Sequence, residues 1–193
     1  MMEGAAMLQR LLDRYSVGPK HLVEPGPDAA QLLLMVEAAL RAPDHGELLP
    51  FRFKVVRGAA RSRMAALFEA AARAAGKDAA GALIDADRAL RPPVSVAVLA
   101  RIDLGHLLVP AHEQWVCVGG ALANFLNAAH LLGFGGKMLS GAKVRDPAIS
   151  AAFCNPGETL LGWIALGTPL RRPSGPSRPS RQGGAAQALQ EWV

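Results

Sequence analysis

The stretch from residue 115 to 136 constrains this chain most. Trp115, Val116, Val118, Leu122, Phe125, Leu126 and Leu131 put apolar side chains on nearly every face of one long helix. The stretch is long enough to cross a bilayer. Asn124, Asn127 and His130, several glycines and the following Lys137 argue against that, because polar groups inside a membrane are costly. What remains is a core or interface helix. One chain of 193 residues has little material to wrap it on every side, whereas a second copy related by a two-fold axis covers it. The sequence therefore predicts a homodimer with no stable folded monomer.

The length fits one domain, and 51% apolar residues against 19% charged can bury a core. The long helix is predicted over 113–132, closed by Gly133. Helical periodicity adds 7–15, with Leu8, Leu11 and Leu12 on one face, and 29–41, with Leu32, Leu33, Val36, Ala39 and Leu40 in register. Asp28 is placed to cap the second of these, and Pro43 ends it. Further helices are expected over 61–75, with Gly76 as C-cap, over 79–90, stopped by Pro92 and Pro93, and over 146–153, with Pro147 at its favoured first position. Phe51, Phe53 and Val55 alternate with Arg52, Lys54 and Val56, which predicts a half-buried strand over 51–57. The apolar run 94–100 reads as a central strand, and 159–166 as another. Residues 103–112 are expected to be a loop. Gly135 and Gly136 form a tight passage into 137–140. Few strands among many helices indicate an α+β domain over 1–170. The tail over 171–193 is rich in Arg, Ser, Pro and Gly, and only 185–193 has the composition to order.

The net charge of +5 comes largely from four arginines between residues 171 and 181; without them the body is close to neutral. A basic tail can bind nucleic acid or anionic lipid, but aromatics at 5% are too sparse for a base-stacking platform and no nucleic-acid motif is present. The expectation is no nucleic acid and no membrane. Cys117 and Cys154 lie in apolar surroundings with no metal-ligand spacing, so buried free thiols, a reducing cytoplasm and no metal site are expected. Glu3 and Asp13 with no long apolar run near the start do not fit a secretory signal. No G-x-G-x-x-G after a strand, P-loop, G-x-S-x-G or H-E-x-x-H occurs, so chemistry needs a cofactor.

Three segments carry polar groups in telling places. Arg14, Tyr15 and Ser16 close the first helix, where an arginine and a hydroxyl two residues apart suit a phosphate; an exposed helix end with a turn serine is the plainer reading. Arg41-Ala42-Pro43-Asp44-His45 sets a cation and an imidazole on a proline turn, or merely compensates a helix dipole. The run from Gly133 to Gly141 lets backbone approach a flat ring or phosphate closely, with Lys137 and Ser140 as added donors, or simply connects helix to strand.

Taken together and in this order, the segments resemble the nitroreductase family in its compact bacterial branch. The matching parts lie between Leu8 and Pro169: Arg-x-Ser near the start, the Arg-Ala-Pro-Asp-His turn, the long helix ending in Gly-Phe-Gly-Gly, and the closing Leu166-Gly167-Thr168-Pro169. The resemblance implies a three-layer sandwich, with a mixed and mainly antiparallel sheet flanked by helices, built as an intertwined homodimer with flavin mononucleotide (FMN) at the interface. It implies that Arg14, Tyr15 and Ser16 hold FMN from one chain, that Arg41 and His45 reach it from the partner, and that Met138, Leu139 and Ser140 return to the first chain's site. It also implies a nicotinamide dinucleotide site at Ala128, Ala129, His130, Leu131, Leu132 and Gly133. The activity implied is hydride transfer from NADH or NADPH to nitroaromatic, quinone or similar small acceptors by a ping-pong mechanism. The flavin N5 carries that chemistry and no side chain acts as catalytic acid or base.

The chain departs from the family's usual pattern in several places. A second basic residue is usual where Tyr15 stands, and another is frequent where Leu139 stands; Leu49 and Phe51 occupy positions where an amide and a tryptophan are common, and Pro19 falls near another usual basic position. Lys137 or Lys143 is placed to compensate. These losses leave open a divergent homologue that binds flavin without turnover, or binds none. The arginine-rich tail leaves open a surface binder of nucleic acid or membrane.

Overall fold

The apolar run 94–100 forms β3 (Val94–Ala100), and every one of its residues is buried. A strand buried on both faces needs a helical layer on each side, and that requirement organises the rest of the chain. In the computed structural model, which describes residues 2–170 and 184–192, β3 pairs antiparallel with β2 (Phe51–Val56) on one edge and β5 (Thr159–Pro169) on the other. The far edge of β5 carries β4 (Gly135–Leu139) and, at its end, the short β1 (Leu22–Val23), both antiparallel. A parallel bridge joins Ser16 to Gly136 and makes the sheet mixed. The predicted α+β sandwich with a mainly antiparallel sheet is the observed architecture.

On one face, α2 (Ala29–Ala39) and α5 (Ala111–Leu131) set Met35, Ala39, Phe125 and Ala129 against Val96, Val98, Ile164 and Leu166. On the other, α3 (Ala59–Ala74), α4 (Ala79–Leu90) and α6 (Pro147–Phe153) set Met64, Phe68, Ala89, Ile149 and Phe153 over Ala97, Leu99 and Trp163. Trp163 is held edge-on between Phe68 and Phe153, with ring centroids at 5.1 and 5.7 Å. α1 (Met2–Leu12) meets the end of α5, and α7 (Gly184–Ala188) falls largely within the terminal stretch expected to order. Residues 171–183, which hold the four tail arginines, lie outside the described residues.

A bulge shapes β5. Val98 pairs with Gly162 and Leu99 with Leu160, so Leu161 is the extra residue. Gly162 takes φ +143°, and a Cβ there would stand 2.0 Å from the Leu139 carbonyl oxygen. Only glycine lets β4 and β5 pair at this point.

Local chemistry sets most boundaries as expected. Asp28 caps α2 by accepting from Gln31 N, and Gln31 returns the bond to complete a capping box. Asp146 caps α6 with Pro147 at its first position. Gly76, at φ +82°, follows α3.

Other expectations are corrected. α1 ends at Leu12 rather than residue 15, because the edge of β4 captures the segment that follows. Met35, not Leu33, faces the core from α2, and Leu33 is exposed. Val56 is buried and Val55 exposed, the reverse of simple alternation, because the second helical layer takes up the end of β2. Gly135 and Gly136 belong to β4 instead of preceding it, and β5 runs three residues further. Cys117 is buried, whereas Cys154 is only half-buried, at the end of α6.

Candidate active site

The first and third polar segments come together. Beyond α1 the chain is extended: Val17 N donates to Gly136 O at 3.1 Å, and Ser16 forms the bridge to the same residue. Arg14 and Tyr15 are half-buried and Ser16 is exposed. The approach is tight, because a Cβ on Gly135 would stand 2.7 Å from Leu22 and 2.9 Å from Val17. Tyr15 and Leu139 pack against the same small cluster of Val17, Leu22 and Ala165. The two positions where the family pattern favours cations are therefore joined here through an apolar contact set. Met138 leans into the main core, and Ser140 is exposed just past β4. On its outer edge β4 makes the single bridge at Gly136 among the described residues, which leaves main-chain N–H groups further along the strand open to a ligand.

The second segment lies elsewhere. After α2 the chain turns through exposed Arg41, buried Ala42 and exposed Pro43. The Asp44 carboxylate accepts from Leu48 N at 3.3 Å and Leu49 N at 2.8 Å. These bonds hold a turn in which Gly46, Glu47 and Leu49 all have positive φ, at 75°, 52° and 46°. A leucine in the left-handed region is strained, and such strain concentrates at functional sites. His45 Nδ1 sits 2.7 Å from Glu113 Oε2 in the first turn of α5.

At the other end of α5, Arg10 donates to Leu131 O and His130 Nε2 donates to Arg10 O, both at 2.9 Å. From Glu113 to His130 is 17 residues of helix, or about 26 Å at 1.5 Å per residue. One chain thus carries the 14–16 segment beyond the C-terminal end of α5 and His45 at its first turn, while β4 runs back from the first of these toward mid-sheet, with Leu139 paired to Trp163. Between them Trp115 and Val116 are exposed, at 41% and 64%, in line with exposed Gly119 and Ala123. The helix read as apolar on nearly all faces leaves one stripe uncovered.

The segment proposed for the dinucleotide is split by burial. Ala129 has no exposed surface, so it cannot touch a ligand, and Ala128 and His130 are half-buried in the helix. Leu131, Leu132 and Gly133 face outward as α5 ends, with Gly133 at φ +91°.

Glu113 and Asp85 are polar groups that sequence reasoning did not single out. Asp85 is 1% exposed and accepts from Lys77 at 2.7 Å, Arg88 at 2.9 Å and Lys143 at 3.0 Å. Burial pushes its carboxyl up, but the pairs with Lys77 and Lys143 together hold it below the usual carboxylate range. A signal existed: Asp85 occupies the core stripe of α4 with Ala82 and Ala89. Glu113 gave none, because its pairing with His45 is made across 68 residues.

Comparison with known proteins follows the same outline. The model of the Nitroreductase family matches residues 11–168. A protein of Escherichia coli (strain K12) named "Putative NAD(P)H nitroreductase YdjA" is 35% identical over 168 residues, covering 86% of this chain and 90% of its own. The crystal structure of a nitroreductase-like family protein from Bacillus cereus superposes with a TM-score of 0.78 at 18% identity, over 96% of this chain and 95% of that one. A nitroreductase-type structure from Desulfovibrio desulfuricans, in complex with FMN, superposes with a TM-score of 0.68 at 21% identity, over 97% and 96%. The helix-flanked sheet and the match over nearly its whole length establish that this chain belongs to the nitroreductase family.

Proposed function

We propose that this protein is an FMN-dependent oxidoreductase that works as a homodimer. It would take hydride from NADH or NADPH and pass reducing equivalents to a nitroaromatic, quinone or similar acceptor in two half-reactions through one slot. The observation that carries the reading is the division of polar groups between the two ends of α5, with an uncovered apolar stripe between them. Two copies packed antiparallel along that stripe bring the 14–16 and 138–140 segments of one chain next to Arg41 and His45 of the other. The E. coli relative's name and the FMN complex of the D. desulfuricans structure support the choice of cofactor and donor.

The donor set fits FMN. Arg14 and the exposed Ser16 hydroxyl offer a charge and a neutral donor to a phosphate. The open edge of β4 offers main-chain N–H groups to the polar rim of a flat ring. Arg41 and His45 are exposed and able to reach a ligand on the partner's surface. When bound, FMN supplies a ring that accepts hydride and hands it on. The chain's part is to orient that ring, exclude water from it and set positive charge beside its electron-rich edge. Leu131, Leu132 and Gly133 are the part of the dinucleotide segment with surface to offer a nicotinamide donor. Among the described residues no helix is long and apolar enough to cross a membrane, and a cytoplasmic place is proposed with the activity.

The apolar contact set shared by Tyr15 and Leu139 favours a second reading, in which flavin is bound without turnover. Visible absorbance of the purified protein, followed by NADPH oxidation with a nitroaromatic acceptor, separates the two. Flavin uptake with acceptor-dependent oxidation supports the enzyme; uptake alone supports the second reading; no uptake rejects both.

A further inference from the structure

Past the end of β4, between α4 and the sheet, lies a cavity of about 300 Å³. Met64, Phe68, Pro92 and Leu139 give it apolar walls, and Trp163 forms part of its lining. Trp163 is 5% exposed, and its indole N–H is buried with no hydrogen-bond partner. The ring cannot swing to find one, because Phe68 and Phe153 hold it edge-on. A buried donor left unpaired is costly, and an acceptor from outside the chain would satisfy it.

The two charged side chains lining the cavity are both cations. Arg88 and Lys143 line it, and both converge with Lys77 on the single buried carboxylate of Asp85. Three cations on one acid leave the cluster two charges positive. Asp85 fixes these cations in place and offsets only one of their three charges, and Lys143 also stands 5.2 Å above the Phe68 ring. Flat apolar walls, an unused N–H donor and fixed excess positive charge together select a planar apolar body that bears anionic acceptor oxygens.

We propose that this cavity binds a small aromatic carboxylate. Leu139 and Ser140 belong both to its lining and to the segment assigned above to FMN. On that reading, and resting on it, the ligand lies beside the flavin and names aromatic carboxylates as an acceptor class.

The test is calorimetric titration of the full chain with benzoate, a member of this class that carries no reducible substituent, with FMN uptake followed in parallel by visible absorbance. One benzoate per chain is expected, with binding weakened about tenfold by Lys143→Gln and by Arg88→Gln, the scale of a charge-assisted bond. Neutral benzyl alcohol is expected to bind more weakly than benzoate. Trp163→Phe, which keeps the packing volume, removes the donor and is expected to weaken binding as well. Arg88 is largely exposed, so Arg88→Gln reports on the site even where the other variants fold poorly. The inference is overturned by absence of benzoate binding, by binding that neither cation variant alters, or by direct competition between benzoate and FMN, which would make the cavity part of the flavin's own seat. Benzoate binding without flavin uptake rejects the flavin reading and leaves this site standing.

Discussion

His45 Nδ1 stands 2.7 Å from Glu113 Oε2, and this contact ties the turn after α2 to the first turn of the long helix. Both side chains are well exposed, so the pair contributes less than about 1 kcal/mol to stability. On the proposed function, its use is to aim the imidazole at the flavin. His45→Ala is expected to weaken FMN binding about tenfold, and Glu113→Gln to weaken it less, with thermal stability nearly unchanged in both. A visible-absorbance titration beside a melting curve checks this. A large loss of stability with unaltered flavin affinity would give the pair a purely structural role.

Asp85 makes the fold sensitive to acid. Its folded carboxyl is held below the ordinary value, so the stability it contributes is complete above the ordinary carboxylate range and is lost as pH falls below it. Removing it leaves three cations close together, and Asp85→Ala is expected to cost about 3 kcal/mol near neutral pH, the low end for breaking a buried pair because the cations can rehydrate. Urea unfolding at about pH 7 and about pH 3 should show a smaller acid-induced loss in Asp85→Asn than in the unaltered chain. An equal loss in both would place the acid sensitivity elsewhere, with Glu158 the next group to examine, since its hydrogen bonds from Arg52 lower it in the same direction.

The two thiols should behave differently. Burial, and then the nearby Asp44 carboxylate, push the Cys117 thiol up to about 11, so almost no thiolate exists at neutral pH. Cys154 is half-buried, and its sulfur accepts from Ser150 Oγ at 3.6 Å. A thiol reagent is expected to label no more than one site per folded chain and two after denaturation. Rapid labelling of both in the folded state would contradict the packing of α5 on the sheet.

Gly162 is expected to be the least replaceable glycine of the sheet. Gly162→Ala forces a methyl group into the Leu139 carbonyl at a backbone angle that suits glycine, and should cost about 3 kcal/mol or more. Because Leu139 and Ser140 follow from the same pairing, flavin affinity should fall along with the melting temperature. Retention of both would mean that β4 can shift without harm.

Much of this was legible in the residues. Val94–Ala100 announced a central strand, and Pro92, Pro93 and Pro147 marked the end of α4 and the start of α6. The polar segments at 14–16, 41–45 and 138–140 could be picked out, yet their grouping could not. The pairing of Ser16 with Gly136 spans 120 residues, and His45 meets Glu113 only because α2 packs on α5. Leu33 and Leu40 look like core residues by spacing, but they are exposed, because periodicity identifies an apolar stripe without telling a core from an interface. β1 is two residues long, too short for any pattern, and is defined by its partner β5.

The most direct test uses two deficient chains together. Arg14→Ala and His45→Ala are each expected to bind FMN about tenfold more weakly as homodimers, at both sites. A purified heterodimer of one with the other contains one site built entirely from unaltered groups and one lacking both, so the account predicts recovery of one FMN per dimer bound with the unaltered chain's affinity. A heterodimer with no recovery, or a folded monomer of 20.3 kDa that keeps its flavin, would contradict a site shared between two chains.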